Sequence, residues 1–123
     1  MKQFLAVYIG SEEAMAKSDW AKLDEAQQRE RERAGIDAWW QWVDDHKAVI
    51  VDAGSPVGRT KRASAAGIDD TRNALCGYTL VRAQSHEDAA RLFADHPHFT
   101  LFPGDSIEIM ECLPLPERSP VTT

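Results

Sequence analysis

The chain has little cysteine, no long apolar run and a shortage of positive charge, and each shortage excludes a class of protein. Two cysteines in 123 residues, Cys76 and Cys112, cannot build a disulfide framework. They suit a reducing compartment, where they are expected as free, buried thiols. No apolar stretch approaches the ~20 residues that a membrane helix requires. The amino terminus, Met1 to Gly10, is too short and too soon acidic for a signal peptide, so the expected location is cytoplasmic, with no membrane partner. Lys and Arg number 14 against 20 Asp and Glu, a formal charge of −6. That balance works against nucleic acid as a partner, because phosphate binding draws on clustered cations. There is no glycine-rich phosphate loop and no G-x-S-x-G nucleophile turn. What is present is an ordinary globular mixture, 43% apolar and 28% charged, of a size that one core can stabilise. One domain over residues 1–113 is expected, followed by a proline-rich extended tail over 114–123.

Four apolar, β-rich runs read as strands: residues 3–9, 48–54, 77–83 and 106–112. Between the first two lies a proline-free stretch rich in Ala, Glu, Gln and Arg, running from Ser11 to about His46. Gly35 should break it, since glycine inside a helix costs about 1 kcal/mol relative to alanine. The second half then carries the stripe Ile36, Trp39, Trp40, Val43, the face of a helix packed on a sheet. Ser85-His86-Glu87-Asp88 opens a short helix, with Ser85 at the N-cap and acids in the first turn, and Pro97 stops it. Residues 55–74 show no sustained period and read as a long loop, mobile or docked as an arm. The order is the split βαβ pattern of a ferredoxin-like α+β domain, βαββαβ with an extra N-terminal helix and an antiparallel four-stranded sheet.

In these strands neither side is uniformly polar: Leu5, Val7 and Ile9 alternate with Phe4, Ala6 and Tyr8. Helices of this fold cover one face, so the other needs a partner, most simply a second copy of the chain.

Segments 4–10, 38–56, 77–97 and 106–111 resemble the YCII-related domain family, in its DGPF-like branch. The carrying residues are Phe4 to Tyr8 with Gly10, Ala38 to Gly54 with Ser55-Pro56, Ser85-His86-Glu87-Asp88-Ala89-Ala90, and Ser106 to Glu111. The resemblance implies a dimeric α/β barrel, sheet to sheet, and an enzyme built on a His–Asp pair. In that family the histidine sits on the first core helix and the aspartate before a proline after the second. Here Asp37 stands at the helix position and His96 before Pro97, so the residue types are exchanged and the implied chemistry does not transfer intact.

Asp95-His96-Pro97-His98 is the stretch richest in chemistry. An imidazole exchanges protons near neutrality and a carboxylate can orient it, which makes His96 the candidate acid or base with Asp37 or Asp95 beside it. The structural alternative is a histidine answering a helix C-terminus, while Asp37 would be an ordinary helix-start residue. On the acid–base view His96→Ala is expected to abolish activity while altering stability by no more than ~1 kcal/mol, whereas a large stability loss with activity retained marks a structural helix-end residue. Tyr8, Asp52, Tyr78, Arg82, His98 and Glu108 are candidate ligand-binding residues. Strand polarity explains five of them equally well, with Arg82 and Glu108 as a cross-strand ion pair. Trp39 and Trp40 read as core, whereas Trp42 falls off the stripe and is the candidate for a pocket or dimer contact. His96 and His98 could chelate a metal with His86 or an acid, but two histidines alone make a poor site, since zinc takes ~3–4 protein ligands, so neither metal nor cofactor is expected. Three functions compete: proton-transfer chemistry of the isomerase or lyase type on a small metabolite, a non-catalytic module holding a ligand or a partner, or a purely structural dimeric module.

Overall fold

The computed structural model describes residues 1–119. Its main sheet comprises β1 (Lys2–Ile9), β2 (Ile50–Pro56), β5 (Leu75–Ala83) and β6 (Ser106–Glu111), in the order β2-β5-β1-β6. Every pairing is antiparallel. With an inserted hairpin over residues 60–71 set aside, this is the ferredoxin-like βαββαβ arrangement, as the order of runs in the sequence implies.

Alternation along β1 sorts its side chains. Phe4, Ala6 and Tyr8 are buried and face Val81, Thr79 and Gly77 of β5 across the ladder. These residues form the core with Trp42, Ala89 and Phe93 from the helical layer. Leu5, Val7, Leu80 and the exposed Met110 stand on the opposite, open face.

The helical half departs from its sequence reading at Gly35. α1 (Glu12–Lys17) is capped by Ser11, whose Oγ accepts from the Ala14 amide at 3.0 Å. A single 3-10 turn follows at Trp20–Lys22, and α2 then runs unbroken from Glu25 to Asp45. The interruption therefore falls at Ser18–Asp24. There a capping box sets the start of α2: Asp24 Oδ1 accepts from the Gln27 amide at 2.7 Å, and Gln27 Oε1 from the Asp24 amide at 3.0 Å. Gly35 is buried inside this helix because the Phe102 ring occupies the space a Cβ would take. Its missing side chain serves a close approach and not a helix end.

That seam also rotates α2 from the expected stripe. Trp42, seven residues after Gly35, is the buried tryptophan, and its indole N–H donates to the Leu92 carbonyl at 3.0 Å. Its ring packs at 5.0 Å from that of Phe93. Trp42 is thus core and no pocket residue, while Ile36 and Trp40 are more than half exposed.

Residues 55–74 are likewise more ordered than their composition suggests. β2 continues through Ser55 and Pro56, paired with Tyr78 and Gly77, after register shifts on either side of Asp52. The glycine and proline there mark an irregular strand and not its end. β3 (Thr60–Ser64) and β4 (Gly67–Thr71) form a separate two-stranded hairpin. Opposite charges face each other in register: Lys61 Nζ lies 2.7 Å from Asp70, and Arg62 pairs with Asp69. Mixed charge without hydrophobic period conceals such a strand from pattern reading, because cross-strand pairing supplies the order.

α3 (His86–Arg91) starts as expected, with Ser85 Oγ accepting from the Asp88 amide at 3.1 Å. A four-residue helix not foreseen in the sequence, α4 (Pro97–Thr100), follows. Beyond β6 residues 112–119 have no regular structure, and Leu113 and Leu115 are exposed. Residues 120–123 of the expected tail lie outside the described residues. Both cysteines are exposed and free, against the expected burial.

Candidate functional site

Pro97 determines the geometry around His96. Proline at N1 starts a helix and holds the preceding residue extended. His96 accordingly has φ −66° and ψ 142° and is the N-cap of α4. Its Nδ1 accepts the His98 backbone N–H at 3.0 Å. The ring is 1% exposed, so the helix-end reading is corrected on two counts: His96 begins a helix, and it does so from inside the core. It is enclosed by Trp42, Tyr8 and Phe93, with ring centroids at 4.7, 5.1 and 5.7 Å. Its Nε2 is buried with no hydrogen-bond partner among the described residues. Burial, helped by the nearby imidazoles of His98 and His46, lowers the His96 pKa from 6.5 to about 4. The ring is therefore neutral at physiological pH. Removing a fully enclosed ring also leaves a cavity and loses a cap, so His96→Ala belongs with the costly core changes and not with surface ones.

His96 borders a cavity of about 380 Å³ whose other walls include Tyr8, Trp39, Trp40, His98 and Phe102. Two neighbours of different origin anchor it. Tyr8, on the helix side of β1, hydrogen-bonds the Thr79 hydroxyl, which in turn donates to the Ala53 carbonyl at 2.9 Å. Burial raises the Tyr8 phenol above its ordinary 10.0, with the Thr79 and Trp39 side chains opposing that rise. His98, half-buried, sends Nε2 to the Ile9 carbonyl at 2.7 Å, and its ring lies 5.4 Å from that of Tyr8. A larger cavity of about 680 Å³ lies at the hairpin root, among Arg59, Lys61, Asp70 and Arg72. Its side chains are exposed or already paired, and Lys61 spends its charge on Asp70. A cavity bordered by a residue with an unpaired buried polar atom, and lined mainly by apolar and aromatic side chains, is the stronger mark of a ligand site.

The structure brings together part of the sequence-derived set. Tyr8, Tyr78, His96 and His98 border the aromatic cavity. Asp37 lies in mid-α2 on its exposed side and Asp95 is exposed. Neither hydrogen-bonds the His96 ring, whose single partner among the described residues is a backbone amide. Asp52 is exposed and accepts the Gly54 amide at 2.8 Å, a local turn contact. Arg82 and Glu108 are exposed and cannot form the expected ion pair, because Arg82 faces Gln3 and Glu108 faces Val7, four residues further along β1. Sequence reasoning missed Ile36, Trp39, Trp40 and Phe102. The signal was an aromatic-rich stripe on α2, assigned to the core because periodicity cannot tell a buried face from a cavity wall.

No family model matches the chain, and no curated protein matches it. Among solved structures it is similar to the 5-chloro-2-hydroxyhydroquinone dehydrochlorinase of Burkholderia phenoliruptrix AC1100, in complex with 2,5-dihydroxybenzoquinone. The two are 15% identical with a TM-score of 0.49, over 88% of this chain and 90% of that one. No ligand or residue role is carried over from that protein. The class reached on this chain's own topology is a ferredoxin-like α+β fold with an aromatic, histidine-bearing cleft between α2, α4 and the sheet. No helix among the described residues is long and apolar enough to cross a membrane, and no cluster of metal-ligating side chains occurs among them.

Proposed function

We propose that the chain is a YCII-like protein that binds a small organic molecule in the aromatic cleft and performs proton-transfer chemistry on it, as a homodimeric α/β barrel in the cytoplasm. The observation that carries this reading is that His96, whose buried Nε2 lacks a partner among the described residues, borders a cavity lined mainly by aromatic and apolar side chains. A polar atom left bare in such a place costs about 1–3 kcal/mol, a cost that a bound ligand offsets. The aromatic walls favour a flat ligand, since rings stack on planar partners. Acid–base work then rests on the imidazoles, because Asp37 and Asp95 are turned to solvent. That same lack of a carboxylate partner favours the second reading, a non-catalytic binding module.

Tryptophan fluorescence tests the cleft, since Trp39 and Trp40 both line it. Titration with a set of small planar phenols and enones should give saturable quenching for those that fit. Quenching by none of them would contradict the reading. For a ligand that binds, deuterium exchange at its acidic C–H positions separates the two functions: catalysed exchange supports the enzyme, and binding without exchange supports the module.

The dimer is supported by the open sheet face, where Leu5, Val7 and Leu80 have no helical cover and Met110 is 44% exposed. Light scattering at micromolar concentration should return about twice the chain mass of 13.7 kDa. A clean monomer would contradict the barrel. The free Cys76 and Cys112 suit the reducing compartment assigned.

A further inference from the structure

We infer that the two cleft histidines hold the same Nε2–H tautomer for opposite tasks, His96 as a fixed hydrogen-bond donor through Nε2–H and His98 as the proton acceptor through Nδ1. This inference rests on the ligand cleft proposed above and goes on to assign its chemistry.

The assignment follows from what each ring nitrogen meets. A backbone N–H can only donate, so the His96 Nδ1 that receives the His98 amide at 3.0 Å must offer a lone pair. A neutral imidazole carries one N–H, which places the His96 proton on Nε2, the buried atom without a partner. His96 is then unable to take a proton from a ligand: one lone pair is engaged by the chain and the other nitrogen is already protonated. His98 reaches the same tautomer with the other nitrogen engaged. A carbonyl can only accept, so the nitrogen 2.7 Å from the Ile9 oxygen is Nε2–H, and the lone pair sits on Nδ1. That Nδ1 has no hydrogen-bond partner among the described residues, and the ring borders the cleft.

The other histidines offer no substitute. His46 turns Nδ1 to the Trp42 carbonyl and His86 turns Nε2 to the Ile109 carbonyl, both at 2.7 Å, and neither lines the cleft. The His98 ring is also held from behind. A Cβ at residue 104 would run into the His98 carbonyl oxygen, Cε1 and Nε2, so Gly104 permits the ring to lie where it reaches Ile9. Gly104 is a positioning residue, and its own amide closes the contact by donating to the His98 carbonyl at 3.0 Å.

The step this arrangement supports is balanced without any co-reactant. A ligand carbon acid next to a carbonyl loses a proton to His98 Nδ1, and the C–H electron pair moves into an enolate. The His96 Nε2–H donates to the oxygen on which that charge develops. Where the enolate is conjugated with a further double bond, return of the same proton from the His98 imidazolium to the far carbon completes a double-bond isomerisation and restores both rings. A neutral donor suits this task, because it stabilises the oxygen without first surrendering its own proton.

The test is ring-nitrogen NMR on the intact, uniformly 15N-labelled protein at alkaline pH, with both imidazoles neutral. The expected result is a protonated Nε2 and a bare Nδ1 on both rings, His96 slow to exchange with water and His98 perturbed alone in Gly104→Ala. Acidification should place the incoming His98 proton on Nδ1. A His96 proton on Nδ1, a His98 proton on Nδ1 in the neutral ring, or averaging between tautomers on either ring would overturn the inference. These readouts need no ligand, so a cleft that binds nothing and a wrong tautomer assignment are separate outcomes.

Discussion

Lowering the pH from 6.5 to about 4 should remove about 3 kcal/mol of folding stability through His96 alone, and His96→Phe should abolish that component. In the unfolded chain the imidazole binds a proton below its ordinary 6.5; in the folded chain it stays neutral until about 4. Between those values the unfolded state holds more protons, so stability falls as pH falls. Each pH unit of that window is worth about 1.4 kcal/mol. The effect is fully developed below about 4 and absent above 6.5, where both states are neutral. This is the reverse of a histidine that gains an acidic partner on folding, whose pKa would rise and whose stabilisation would appear in acid. Denaturant melts of the two proteins at matched pH give the measurement. Parallel pH dependences would show that the ring is hydrated or paired, and would remove the basis for a neutral donor in the cleft.

Phe4→Ala is expected to cost about 3–5 kcal/mol, enough to consume much of the stability of a chain this size. Phe4 is fully buried at the centre of the sheet, opposite Val81 of β5, with the His86 ring 5.2 Å away. Its removal leaves a cavity that sheet and helix are too rigid to close. A shift in the denaturation midpoint at constant slope would give the value. A loss below ~1 kcal/mol would mean that the helical layer does not rest on this face.

The sheet was legible because its signals are local. Four short apolar runs, rich in β-branched and aromatic residues, give the strands, and the order of the segments then limits the topology to very few choices. Ser85 with acids behind it marked α3 for the same reason: capping is settled within four residues. Misreadings arose wherever a distant contact decided the outcome. Gly35 looks like a helix break until Phe102, far along the chain, is seen to fill the place of its side chain. Trp42 appeared to face away from the core because Ile36, Trp39, Trp40 and Val43 form the tidier stripe. The stripe instead divides between the cleft and the core margin, and Trp42 takes the core through its bond to Leu92. The Thr60–Thr71 hairpin is held by charge pairs across two strands, a pattern that carries no hydrophobic period.

The candidate site was half legible for a related reason. Histidines beside a proline drew attention to the turn that borders the aromatic cavity, and Tyr8 and Tyr78 to two strands that also border it. The expected carboxylate partner failed because proximity in sequence, as with Asp95, says nothing about direction. Asp95 follows the exposed side of the turn while His96 is drawn inward by Tyr8, Trp42 and Phe93. What could have been anticipated is the N-cap: a histidine before a proline that starts a new turn is placed to accept an amide, and that single bond fixes the ring.

The central claim is that His96 offers its Nε2 hydrogen to a ligand in the aromatic cleft. The most direct test is the affinity of a planar oxygen-bearing compound that quenches Trp39 and Trp40, compared between wild type and His96→Phe at neutral pH. Phenylalanine keeps the ring and its packing but has no hydrogen to give. A loss of tenfold or more is the predicted result, the scale of one buried hydrogen bond left unmade. Equal affinity, with the variant shown to be folded, would contradict it.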